Sequence, residues 1–400
     1  MSADLKRPYL VIPKLVEQPT WGGDYIVNFK SWAREKKFQQ IKIGQAYELF
    51  HGSNLSLLNS SAESEFTGEL CLTGMVSEMT TPAHSLSLAQ LISEKPEAIL
   101  GNAVVNAYGK WMPLLIKFTQ ALGNSFQIHI KDDPSSGQMA PTTKWKPKPE
   151  SWYYFEPGIA TVGVKPGINW AEYEKTVTEL EAKITALGEQ IKLNKLFYRA
   201  AREKIVRLIE LYNPQQFVNR VEIKKDDLLD LSGGGIHHSW EEDETRFHWG
   251  NVLYELQLNV FDEDSTIRAF DKGKISPEGN VRPLHIVDYF KYIDRTTQAN
   301  NPSTYMIVTK PLKVSKSYEH HRLLESKYYT LEKVILKTPA WFTEKIDHFR
   351  HIFVKSGSIE VFTSHTSINV TTGHSCFIPA GAFEYGIKNV TPESTILISY

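Results

Sequence analysis

Cysteine is nearly absent from the 400-residue chain: only Cys71 and Cys376 occur, far apart. Two distant thiols give no disulfide framework and fit a reducing compartment. Charge of one sign is also missing, since 45 basic residues face 46 acidic ones. A formal net charge of −1 leaves no whole-chain field to gather nucleic acid or anionic membrane. No apolar run approaches the ~20 residues that a membrane-spanning helix needs. The N-terminal MSADLKRPYLVIPK lacks the basic-then-apolar layout of a signal peptide, so a cytoplasmic location is expected. Composition argues against wholesale disorder, because hydrophobic residues make up 41% and aromatics 12%. The length predicts more than one core.

What is present is β-texture interrupted by helix. Up to about Gly163, short apolar runs alternate with Gly, Pro, Asn and Ser. The run Pro113-Leu-Leu-Ile-Lys-Phe leads to a turn around Gly123-Asn124. In the next run, Phe126, Ile128 and Ile130 alternate with Ser125, Gln127 and His129. A period of two places the apolar set on one face and the polar set on the other. From Asn169 the period changes. Tyr173, Val177, Leu180, Ile184, Leu187 and Ile191 form one helical stripe, with Asn169 and Glu172 as a capping-box start. A second helix is expected from about Leu193 to Tyr212, ending at Asn213 before Pro214. Strand signals return at Asn251–Val260 and fill the stretch from Leu331 to the end, where Ile352-Phe-Val, Ile359-Glu-Val and Ile396-Leu-Ile are short and evenly spaced.

Gln127 and His129 share a strand face and can grip one ion. Glu150 offers a carboxylate, and His237 or His238 follows a triple-glycine turn. Nitrogen and oxygen ligands without thiolate suit a borderline divalent ion such as Zn²⁺ with an open position. The same Gln-x-His pair also arises as an ordinary polar sheet face.

In order along the chain, these segments resemble the type I mannose-6-phosphate isomerases, zinc enzymes built on cupin barrels. Trp21-Gly-Gly and Ile43-Gly-Gln-Ala-Tyr-Glu48 open the resemblance. Pro113-Leu-Leu-Ile-Lys117 and Ser125-Phe-Gln-Ile-His129 are similar to the segment with the first two zinc ligands. Lys148-Pro-Glu150 is similar to that carrying the third, and the glycine turn before His237 to that carrying the fourth. Ser265-Thr-Ile-Arg-Ala-Phe-Asp271 and Arg282-Pro-Leu-His-Ile286 complete the set.

The resemblance implies a mainly β protein with two cupin-like jelly-roll barrels and a helical insertion. A catalytic barrel would comprise 1–165 and 217–300, the insertion 166–216, and a C-terminal barrel 301–400. It implies one Zn²⁺ per chain on Gln127, His129, Glu150 and His237. Arg268, Lys148 and Glu255 are the implied catalytic residues, and Ser125 and Lys117 the implied phosphate anchors. The implied activity interconverts mannose 6-phosphate and fructose 6-phosphate, with a small sugar phosphate as partner, no nucleic acid or membrane, and the oligomeric state left open. The alternatives are a related isomerase acting on another sugar or sugar phosphate, and a metal-binding cupin protein without catalysis. Departures are local. The family's His-Pro-Asp-Asp reads His129-Ile-Lys-Asp-Asp here, and Ser232 and glycines replace Pro-Ala-Gly-Thr before His237. Glu255 lies thirteen residues before Arg268 instead of ten, which implies an insertion between them. In the C-terminal barrel Glu384 stands where His237 does, so no metal is expected there.

Overall fold

The computed structural model describes residues 4–71, 82–123, 125–131, 144–232, 235–238, 243, 245–337 and 340–400, with backbone alone at 235–238. Asn124, Asp132, Asp133, Gly233 and Gly234, on which parts of the turn and motif expectations fall, lie outside the described residues. The chain forms two compact units interleaved in sequence. The first comprises 1–120, 252–259 and 307–400, the second 121–251 and 260–306.

In the first unit the short C-terminal apolar runs become antiparallel strands. Thr330–Lys337, Glu393–Ser399, Arg350–Ser356 and Ser375–Ile378 lie side by side in a nine-stranded sheet. The N-terminal strand Tyr9–Ile12 adds to Ser375–Ile378, placing Tyr9 opposite Phe377. Trp341–Lys345, Glu384–Asn389, Ser358–Phe362 and Ser367–Thr371 make a second sheet. Their alternating exposure, as in Ser358–Phe362, follows the period of two. Leu114–Ala121 pairs with Ile43–Leu49, which pairs with Lys14–Glu17.

In the second unit Val218–Ile223, Gly158–Val164, Gly235–His238, Phe126–His129 and Ile267–Phe270 form a five-stranded antiparallel sheet. The helix Trp170–Lys192 starts where the sequence predicts, the Asn169 side chain accepting from Ala171 N–H at 3.1 Å and Glu172 N–H at 3.2 Å. Its entire apolar stripe is buried. The next helix runs Tyr198–Tyr212, beginning five residues later than expected. Asn194, with φ of 55°, turns the chain into the left-handed region and breaks the helix there. It ends as expected at Asn213, also left-handed.

Phe126 and Ile128 pack into one core with Tyr173, Val177, Leu180 and Ile184. That contact fixes which face of the Phe126–His129 strand looks at the helices. Gln127 and His129 therefore occupy the other face. The fold is mainly β with several sheets, as the sequence indicates, and no closed barrel occurs among the described residues.

Candidate functional site

The site is built outward from Gln127. In the backbone ladder His237 stands opposite Gln127 on one side, and Arg268 stands opposite it on the other. Directly opposed residues of antiparallel strands share a face, so Arg268 projects to the side of Gln127 and His129. A register shift between Arg268 and Phe270 lets Phe270 return to the helical core. The His237 and His238 side chains lie outside the described residues.

Both His129 nitrogens face oxygen atoms. Its Nδ1 lies 2.6 Å from the Ser265 carbonyl oxygen, and its Nε2 lies 3.3 Å from Oε2 of Glu150. A carbonyl at Nδ1 makes that nitrogen the donor and leaves Nε2 with its lone pair facing Glu150. Gln127 is oriented by Ser125, whose hydroxyl donates to Oε1 at 2.9 Å. An amide oxygen, an imidazole nitrogen and a carboxylate on buried, oriented side chains are a donor set that fits a borderline divalent ion. No three His, Cys, Asp or Glu side chains gather for a metal among the described residues. The expected set contributes two of these, His129 and Glu150, beside the amide of Gln127.

Lys148 and Arg268 adjoin this set. Lys148, 4% exposed, places Nζ 3.8 Å from Oε2 of Glu150 and 2.5 Å from Oδ1 of Asp262. Arg268 lies 3.8 Å from the other oxygen of Asp262, and its Nε has no hydrogen-bond partner among the described residues. Burial pulls its guanidinium below the ordinary value, with Asp262 opposing.

Asp262 and Ser265 are the residues that sequence reasoning missed. Both belong to the short helical turn Asp262–Ser265, within the implied insertion between Glu255 and Arg268. The turn is clamped in place: Lys146 N–H donates to the Asp264 carbonyl at 2.7 Å, and Lys146 Nζ lies 2.8 Å from Oδ2 of Asp264. The available signal was the Asp262-Glu-Asp run, which reads as an exposed acidic loop.

Lys117 and Glu255 belong to the first unit. Lys117 Nζ lies 3.8 Å from Oε1 of Glu255, and Thr119 donates to Oε2 at 3.3 Å. Gln257 also donates to Glu255, and the Lys117 ammonium stands 5.4 Å from the Tyr47 ring centroid. Of the seven other implied residues, Ser125, Gln127, His129, Lys148, Glu150 and Arg268 gather in the second unit, where the His237 backbone also lies.

No protein-family model and no curated protein matches the sequence. Solved structures do. The mannose 6-phosphate isomerase from Bacillus subtilis is similar at 17% identity and a TM-score of 0.62, with 98% of this chain and 99% of that chain covered. A putative mannosephosphate isomerase from Archaeoglobus fulgidus is similar at 16% identity and a TM-score of 0.60, with 99% of each chain covered. A zinc-bound mannose 6-phosphate isomerase is similar at 14% identity and a TM-score of 0.60, with 98% of each covered.

The chain has the phosphomannose isomerase fold.

At these identities the fold is what the chain shares with its neighbours. It is shared end to end, without a missing half. Among the described residues no helix is long and apolar enough to cross a membrane.

Proposed function

We propose that this chain is a zinc-dependent aldose–ketose isomerase that interconverts mannose 6-phosphate and fructose 6-phosphate through an enediol. One observation carries the reading: Glu150 and Lys148 meet His129 on the sheet face that also carries Gln127, within a phosphomannose isomerase fold. In this reading the sheets belong to two cupin-like jelly rolls, the helical pair being an insertion.

Gln127, His129, Glu150 and His237 would hold the zinc. When bound, zinc supplies Lewis acidity toward the hydroxyl and carbonyl oxygens of the sugar. Arg268 is the second electrophile: its planar fork donates to the oxygen that becomes negative in the enediolate, and Asp262 keeps that fork oriented. Lys148, between Glu150 and Asp262, either anchors the phosphate as a point charge or carries a proton. The candidate base for the carbon-bound proton, by resemblance, is Glu255, which Lys117, Thr119 and Gln257 hold within the first unit. Lys117 contributes a donor for the phosphate, whereas the Ser125 hydroxyl donates to Gln127 and orients that ligand.

The test is to load the full chain with zinc, add mannose 6-phosphate and follow fructose 6-phosphate. Free mannose and other hexose phosphates run in parallel decide the substrate. Bound metal with no turnover of any sugar would identify a metal-binding protein instead.

A further inference from the structure

The helix side of the second unit holds a cavity that the proposed reaction does not use. It has a volume of about 570 Å³ and lies between the helix Trp170–Lys192 and the segment Gly279–Asp288. Glu181, Thr185 and Glu189, four residues apart, form its helix wall. The facing wall is fixed by close backbone approach. A Cβ at Gly188 would collide with the Gly279 carbonyl oxygen, and one at Gly279 with that of Gly188. Gly279 is left-handed at φ 85°, and Ile275 bridges Val281 beside it.

Apart from Glu181, the acidic and basic side chains around the cavity have polar partners. Lys192 lies 2.8 Å from Glu189, Arg282 lies 3.5 Å from Asp271, and Asp288 accepts from the Trp145 indole at 2.9 Å. His285 is held below its ordinary pKa by burial and by Arg268, with Asp288 opposing. Glu181 has neither a hydrogen bond nor an ion pair among the described residues. The cavity therefore presents the Glu181 carboxylate, without a partner among the described residues, beside an apolar strip of Val281, Leu284 and Ile286.

We propose that this cavity binds a small alkylammonium ligand, its nitrogen on the Glu181 carboxylate and its alkyl chain along Val281, Leu284 and Ile286. A half-buried carboxylate without a partner is partly desolvated at a cost, and an ammonium offsets that cost with a charge-assisted hydrogen bond. An anion would meet Glu181 repulsively, and a neutral alkyl chain would leave the carboxylate unanswered. Burial and the neighbouring Asp271 push the Glu181 carboxyl up to about 7. It is thus mostly ionised at pH 8 and mostly neutral at pH 6.

The probe is n-butylammonium, titrated calorimetrically into the full chain. Saturable 1:1 binding is expected at pH 8, weakened about tenfold at pH 6 because the ionised fraction of Glu181 falls by that factor. Glu181→Gln should weaken it by at least about tenfold. Should that variant not fold, Thr185→Phe fills the cavity from the same helix stripe and should abolish binding. Equal affinity for n-butanol, undiminished binding in either folded variant, or no saturation by about 10 mM would overturn the proposal. So would preferential binding of inorganic phosphate that Arg282→Ala removes, or of Mg²⁺ that Glu181→Gln removes.

Discussion

Asp262 Oδ1 lies 2.5 Å from Nζ of Lys148, while its other oxygen faces Arg268 at 3.8 Å. One carboxylate thus bridges the two cations that adjoin the His129–Glu150 pair. It does so from the helical turn whose last residue, Ser265, takes His129 Nδ1. A single local element therefore orients the imidazole and both cations.

Replacing that bridge should separate positioning from stability. The Asp262 side chain is 55% exposed, so water can take its place, and Asp262→Asn is expected to cost about 1 kcal/mol or less in urea unfolding. Zinc content should be unchanged. In the proposed reaction kcat should fall by about tenfold, because Lys148 and Arg268 lose their shared orienting partner. Unaltered kcat and KM would show that the bridge positions neither.

This part of the site was hidden from the sequence for a physical reason. Gln127 and His129 were legible because a strict period of two has only one structural reading, and the packing of Phe126 and Ile128 supports it. The Tyr173–Ile191 stripe was legible likewise, every member being buried. Asp262-Glu-Asp carries no period. Its meaning depends on Lys148, more than a hundred residues away in sequence, meeting it in space. The same limit applies to Asn194, where a single left-handed residue delayed the second helix against an unbroken helical composition.

The metal set gives a second prediction. His129→Ala should lose zinc and activity together, measured by elemental analysis and turnover, because the imidazole is held toward Glu150 by the Ser265 carbonyl. Ser125→Ala should retain metal but bind it more weakly, by about 10- to 100-fold, since the hydroxyl orients the Gln127 amide. Wild-type zinc content in His129→Ala would remove this residue from the ligand set.

Arg268 and Lys148 are distinguished by kinetics. Arg268→Ala should keep its metal while kcat drops by about 10²–10³-fold, the loss typical of a preorganised donor to a developing oxyanion. Lys148→Ala should mainly raise KM if the lysine anchors phosphate. A comparable loss in kcat would place Lys148 in proton transfer. Full turnover by Arg268→Ala would mean that the electrophile lies elsewhere.

The first unit should be acid-labile through its buried histidines. His351 is hydrogen-bonded to the Tyr254 hydroxyl at 3.1 Å. His374 packs against Trp32 and Phe66, with ring centroids 5.0 and 5.5 Å away. Burial, reinforced by the Lys30 ammonium, pulls both down to about 3. Each folded-state pKa lies below the unfolded value near 6.5, so the unfolded chain binds more protons between those limits. The stability is present above pH 6.5 and is lost as the pH falls toward 3. At pH 5 the loss per histidine is about 2 kcal/mol, from a 1.5-unit gap at 1.36 kcal/mol per unit. Glu48, which lies 2.6 Å from Lys30 and is pushed up by burial, works in the opposite sense. A single-site difference avoids that complication. His374→Phe keeps a flat ring between Trp32 and Phe66 but takes no proton. Urea unfolding at pH 7.5 and 5.0 should show the stability difference of this variant smaller than that of the wild type by about 2 kcal/mol. Parallel pH dependence in the two proteins would show that His374 is not held neutral by the fold.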